Sequence, residues 1–487
     1  MRTFPASVFH DSVKIPVLLV LVAGNVLFTG CDDEEKSNLQ SKIDQEKLRA
    51  EAYQTDAAKA RELAQREKEA ADRMRLEVEQ LQQQIDDLKG LKQLSDLGIK
   101  ITRNNRGEVT VFDLLGLEDF SNDQIQSMRN FKSVQEVLMT GQSIDETTFD
   151  ILADLPNLRS LEVSVSGTNT ACLKKLAGLK NLTFLQLKRT SVNDESMKVL
   201  STFPRLQQIR VGQTKVGDEG LKHLKNLKSL VALDLTDCNK VSDAGLEYIA
   251  DLPRLKMLKV WGKGVTNKGL ESIGKMSNLE VLGMNDTRID DEGMFAINGL
   301  TKLKEVYFAR TAVADFGIMQ LTGATRMKKM VLRDTNITDE GLKFVGKMLE
   351  LETLDLSECS SPGPTDLGME YLIGLPRLKD LNLWSTKVGD GAVTAISQMK
   401  NVVRLNLDAT QITDNSLSDL GKMEQLTWLH IGSTKITDKQ VAQLYGLKNL
   451  TYINLSFTEA SFSDDVFDIY DRLKESLADG CTIVGLN

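Results

Sequence analysis

His430, with Asp408 upstream and Ser433 just beyond it, is the nearest this chain comes to an acid–base constellation. An imidazole beside a carboxylate can take up a proton, but hydrolytic chemistry also needs a hydroxyl or thiol placed to lose one. Ser433 falls in a turn and supplies no such nucleophile, so no catalytic residue is assigned and the chain reads as a non-enzyme. The five cysteines (Cys31, Cys172, Cys238, Cys359 and Cys481) include no C-x-x-C pair. With only three histidines beside them, a zinc site of familiar spacing is excluded, and neither metal nor cofactor is expected. A net charge of −9 argues against a nucleic-acid surface, which needs clustered Lys and Arg to neutralise phosphates.

Recognition chemistry is better represented. Trp261, Trp384, Trp428, Phe184, Tyr307 and Tyr452 are interleaved with Asp380, Asn382, Arg404, Asn406, Asp408, His430 and Asn454. Large aromatics set among amides and charges are what interaction surfaces use most. The bland alternative is that aromatics simply favour strands. Which of these side chains share a surface depends on the elements that carry them.

Those elements are written as a repeat. Units begin at residues 134, 158, 182, 206, 230, 255, 279, 303, 327, 351, 378, 402, 426 and 450, and eleven of the thirteen steps are 24 residues. The other two steps place single insertions near Lys240 and at Ser361-Pro362-Gly363. Positions one, four and six of every unit are apolar, as in Leu426, Leu429 and Ile431. Alternation of that kind predicts a short strand with positions four and six inward, leaving positions two, three, five, seven and eight to face outward. All three tryptophans then fall on that outward face, at positions seven (Trp261, Trp384) and three (Trp428). Position nine is Thr or Cys in eleven of the last twelve units, where a tight turn needs a small side chain with a hydrogen-bonding head. Position thirteen is Asp from Asp194 to Asp438, except Asn267, and is expected to cap the helix that follows. Apolar positions 16, 19 and 22, such as Leu221, Leu224 and Leu227, give that helix its buried stripe.

The L-x-x-L-x-L pattern and the 24-residue period over residues 134–458 resemble the leucine-rich-repeat superfamily. Segments such as Leu233 to Cys238 and Val241 to Leu246 resemble its cysteine-containing subclass, known from F-box proteins. No F-box precedes the repeats, so only the fold carries over. The resemblance implies an α/β class: a right-handed solenoid with a parallel concave sheet and convex helices. Residues 98–133 are expected to cap its N-terminal end and residues 459–487, with Phe462, Val466, Phe467, Ile469, Tyr470 and Leu473, its C-terminal end.

Ahead of the repeats, residues 39–97 form a helical coiled-coil segment. Its a positions are Ile43, Ala50, Ala57, Ala64, Ala71, Val78 and Ile85, and its d positions run from Leu39 to Leu88 with only Glu46 and Glu67 charged. A weak homo-oligomer through residues 39–88 and a lone helix acting as spacer are both open. Residues 1–30 read as a signal peptide, because the apolar run from Ile15 to Phe28 is too short to span a bilayer. Leu27-Phe28-Thr29-Gly30-Cys31 resembles the bacterial lipobox, with Phe28 where leucine is usual. That resemblance implies lipidation of Cys31 and a chain anchored in the bacterial cell envelope; Asp32, Asp33, Glu34 and Glu35 then mark residues 31–38 as an acidic, membrane-proximal linker. An aspartate directly after the cysteine, here Asp32, favours the periplasmic face of the inner membrane in some such lipoproteins; the outer membrane is the alternative.

Together these features lead to the expectation of an envelope lipoprotein that binds a protein, peptide or glycan on its concave face. A structural spacer without a ligand is the alternative. The aromatics of the 380–457 patch are expected to be mostly solvent-exposed, so that Trp428→Ala costs only about 0.5 kcal/mol of stability.

Overall fold

A computed structural model describes residues 33–117, 119–460 and 466–485. The proposed signal peptide, Cys31 and Phe462 lie outside the described residues. The chain divides into two units at Lys89/Gly90.

The first unit is helical. The helix Asp33–Asp96 opens with Asp33, Glu34 and Glu35, whose charges suit the positive end of its dipole. Intrahelical pairs such as Arg66–Glu62 and Arg75–Glu79 line its surface. The last turns of that helix belong to the second unit, where Leu94 is fully buried. It ends in a Schellman motif, as the glycine at 98 suggests. Gly98 takes φ +90°, its N–H donates to the Ser95 carbonyl, and the Ile99 N–H donates to the Leu94 carbonyl. No helix among the described residues is long and apolar enough to cross a membrane.

The second unit holds a sheet of seventeen strands among the described residues. Lys100–Arg103 and Val109–Asp113 form an antiparallel hairpin. From Val109–Asp113 onward each strand lies parallel to the next, ending with Thr482–Val484 beside Tyr452–Asn454. Corresponding positions of successive units stand side by side, so Leu405, Leu429 and Ile453 form one buried row. Helices on the return path bury the predicted stripe, including Leu221, Leu224 and Leu227. A helix at Val466–Ser476 precedes the last strand.

Two features differ from the sequence reading. First, the helix N-cap is position twelve, one residue earlier than expected. Thr338, at φ −123° and ψ −171°, caps Asp339–Val345 by accepting from the Glu340 N–H. The position-thirteen aspartate instead reaches into the following unit. Asp315 accepts from the Thr338 N–H at 2.8 Å and from the Thr338 hydroxyl at 2.7 Å, and Asp243, Asp339, Asp390 and Asp414 repeat the pair of bonds. Glycine at position fifteen makes room for it: a Cβ on Gly317 would stand 2.6 Å from the Asp291 carboxylate.

Second, most strands stop before position six, covering positions three to five, as in Trp428–His430. Position eight lies beyond them in the left-handed region. Twelve non-glycine residues adopt it, from Ser433 at φ 50° to Glu358 at 61°, and Gly141 and Gly262 complete the series. That conformation is disfavoured for L-residues. The position-eight N–H donates to the position-seven carbonyl of the next unit, as in Asp334 to Ser357 at 2.9 Å and Ser433 to Ser456 at 2.8 Å. Hydrogen bonding between units thus continues past the end of the sheet. The position-nine hydroxyl closes the turn on its own unit, with Thr434 donating to the Ile431 carbonyl at 2.7 Å. Where cysteine replaces threonine, Cys238 and Cys359 donate instead to Val211 and Leu332 of the preceding unit. Both are free thiols, as are Cys172 and Cys481.

Candidate recognition face

Because successive strands are in register, a position-three side chain stands about 4.8 Å from its equivalents on either side. Flat groups at that spacing stack. Trp428 lies over Tyr452 with ring centroids 5.2 Å apart and planes 6° from parallel. On its other side the Arg404 guanidinium sits 4.8 Å from the Trp428 ring, and Asp380 approaches Arg404 at 3.6 Å. Asp380, Arg404, Trp428 and Tyr452 therefore form one column across four strands. Burial pushes the Asp380 carboxyl up, against the pull of Arg404 and Lys329.

His430 points to the same face two residues along the Trp428 strand, and its ring stacks on Trp428 at 5.8 Å and 19°. Its Nδ1 is buried without a hydrogen-bond partner, 3.7 Å from the Asp408 carboxylate. Burial holds this imidazole below its usual value, with Asp408 opposing. Among the described residues no hydroxyl or thiol donates to that nitrogen.

Trp384, Trp428 and Tyr452 are half-buried, which corrects the expectation that they stand mostly in solvent, whereas Phe457 is 75% exposed. Stacking on neighbours covers much of each ring. The asparagines are also partly committed. The side-chain oxygens of Asn382, Asn406 and Asn454 accept from the N–H groups of Trp384, Asp408 and Ser456, shaping the turn that leaves each strand. Position seven stands in that turn rather than in the strand, so Trp261, Trp384 and Asp408 sit at the margin of the sheet.

Trp384 is joined by a residue the sequence reading passed over. The Arg333 guanidinium lies 5.1 Å from its ring and is ion-paired with Glu358. Arg333 is the position-seven residue two units before Trp384, with the small Ser357 between them. That spacing was legible in the repeat register.

The remaining candidates are on the same sheet but apart from this cluster. Phe184 is ten strands from Trp428 and carries Arg210 over its ring at 5.2 Å. Tyr307 is flanked by Lys259 at 4.8 Å and Lys329 at 5.5 Å, and its hydroxyl donates to Glu305. Burial, then Glu305, raises the Tyr307 phenol well above its usual range. Trp261 has its indole N–H buried without a partner. Among the described residues no three His, Cys, Asp or Glu side chains converge as metal ligands.

No curated protein matches the chain. Among solved structures it is similar to an internalin of Listeria monocytogenes, at 20% identity and a TM-score of 0.50 over 67% of this chain and 88% of that one. It is also similar to a leucine-rich-repeat protein of Leptospira interrogans, at 17% identity and 0.48 over 76% of this chain and 94% of that one. A third is the Arabidopsis receptor kinase HAESA ectodomain, solved with a peptide hormone, at 15% identity and 0.47 over 74% of this chain and 64% of that one. The family model of the leucine-rich repeat region matches residues 214–466, just over half of the chain, and the protein belongs to that family.

Proposed function

We propose that this protein is a non-enzymatic receptor or adaptor that captures a protein or peptide on its concave face, at the surface between Asp380 and Phe457. The observation that carries this reading is the pre-stacked column of Arg404, Trp428 and Tyr452, joined by the stacked ring of His430. Core packing needs none of these side chains at positions three and five. Held in place before a partner arrives, they lose little conformational freedom on binding, which favours affinity.

In the same reading Cys31 carries a lipid anchor in the bacterial envelope, on the periplasmic face of the inner membrane or on the outer membrane. The short apolar run and the small residues before Cys31 support it. Mass spectrometry of the mature N-terminus should find an acylated cysteine; an unmodified chain starting elsewhere would remove the anchor from the proposal.

The binding reading is tested with the immobilised chain and native envelope extract, followed by crosslinking and peptide identification. Replacing both Arg404 and Trp428 by Ala should weaken capture by about 30-fold or more, equivalent to about 2 kcal/mol. Lys225→Ala, an exposed position just after the helix Asp218–Leu224 and away from the strands, serves as control. If the double variant retains the same partners with the same affinity, the concave face is a passive scaffold. If only a glycan array loses signal, the ligand is a sugar and the protein-partner reading fails.

A further inference from the structure

The a and d positions of the first unit divide its helix into two unlike parts. From Ala50 to Glu67 they carry Ala50, Tyr53, Ala57, Ala60, Ala64 and Glu67, most of them too small or too polar to hold a partner helix. From Met74 to Leu88 every one is large and apolar. Met74, Val78, Leu81, Ile85 and Leu88 are 64%, 64%, 52%, 46% and 65% exposed in the single chain. Leu39 and Ile43 also occupy d and a positions, but Glu46 at the next d cuts them off, and Leu48, Leu63 and Leu76 fall at f and g positions.

The identity of the seam residues selects its occupant. β-Branched Val78 and Ile85 at a, with Leu81 and Leu88 at d, are the combination that favours two parallel strands over three or four. Charge selects the same direction. In a parallel pair each g residue faces the next e residue of the other chain, which sets Glu77 against Gln82 and Gln84 against Lys89. No like charges meet. An antiparallel pair would set e against e and bring Arg75 opposite Lys89 at both ends. Arg75 and Lys89 are also held on their own helix by Glu79 and Asp86, away from the seam.

We propose that Met74–Leu88 pairs with the same segment of a second copy as a parallel, two-stranded coiled coil. The seam is narrower than the whole heptad run, because Glu67 at d ends it on one side. Each assembly then carries two concave faces, and a partner with repeated epitopes is held by avidity rather than by one contact. The pairing stands whether or not the concave face binds as proposed.

Sedimentation equilibrium of the full chain should show a reversible monomer–dimer equilibrium that shifts toward dimer as concentration rises. Replacing both Leu81 and Leu88 by Lys should leave only monomer while the circular dichroism of the folded repeats is retained. Leu48→Lys, an exposed f position, should leave the dimer intact. For direction, Leu88→Cys under mild oxidation should give a crosslink joining residue 88 to residue 88. A chain that stays monomeric at every concentration, a trimer, a dimer that survives the double lysine variant, or a dimer without the 88–88 crosslink would each overturn the proposal.

Discussion

Trp428 shows how far a single residue departs from what its position alone suggests. An outward-facing tryptophan is cheap to remove if water surrounds it, but here Tyr452, His430 and Arg404 cover the ring. Each aromatic pair is worth about 0.5–1.5 kcal/mol and a cation over the ring about 0.5–1 kcal/mol. Trp428→Ala is therefore expected to cost about 1–3 kcal/mol in urea denaturation. A double-mutant cycle with Tyr452→Ala should return a coupling of about 0.5–1.5 kcal/mol. A cost within experimental error of zero would mean that the column does not form in solution. His430 next to it carries a pH signature. The folded chain resists protonating this buried imidazole, whereas an unfolded one takes up a proton near about 6.5. Acidification below about 6.5 therefore favours the unfolded chain, and the loss continues until the lower folded-state value is reached. Relative to His430→Gln, the native chain should lose stability as pH falls below about 6.5. A relative gain would show that Asp408 holds an imidazolium instead.

At the scale of the element, the repeating unit is tied to its neighbour by the position-thirteen aspartate more than by its helix cap. Asp315 satisfies both the N–H and the hydroxyl of Thr338, so Asp315→Ala leaves a backbone donor without its acceptor. That loss is expected to cost about 1–3 kcal/mol, read as a lower urea midpoint. Asp315→Asn keeps one acceptor oxygen, as Asn267 does naturally toward the Asp290 N–H, and should be milder. Equal effects from Ala and Asn would sink the ladder as the cause. Aspartate at a fixed position before a helix has the chemistry of a cap. Caps, however, are defined by backbone angles and by which N–H lies within reach, and the position-twelve residue holds the extended conformation.

For the whole molecule, stacking makes stability a chain of neighbour contacts in which the ends matter most. The helix Val466–Ser476 and strand Thr482–Val484 cover the last repeat, whose Ile453 and Leu455 are fully buried. Truncation after Thr458 removes that cover and bares the edge of the sheet. The shortened chain should aggregate on size exclusion and unfold at lower urea than the full chain. Unchanged behaviour would show that the last repeat closes itself. Either outcome leaves the interior repeats folded, because each buries its core mainly against its immediate neighbours.

The parallel sheet, the buried rows and the helix stripes were legible in the sequence because apolar period and spacing determine them directly: Leu429 must face inward wherever Ile431, two residues along, does. The stop at Gly98 was legible for a similar reason, since left-handed backbone favours glycine. Periodicity also placed Trp428, Tyr452 and Arg404 on one face. What it leaves undetermined is everything that depends on the distance between units. The left-handed turn at position eight is occupied by Val, Arg, Gln, Asp, Glu, Ser, Ala and Phe, so no residue type announces it. What its members share is an N–H that, in most units, donates to a carbonyl of the next unit. The aspartate ladder, the Arg333–Trp384 contact and the stacked column are likewise properties of side chains many residues apart. Only the strand spacing of the folded solenoid brings them within reach.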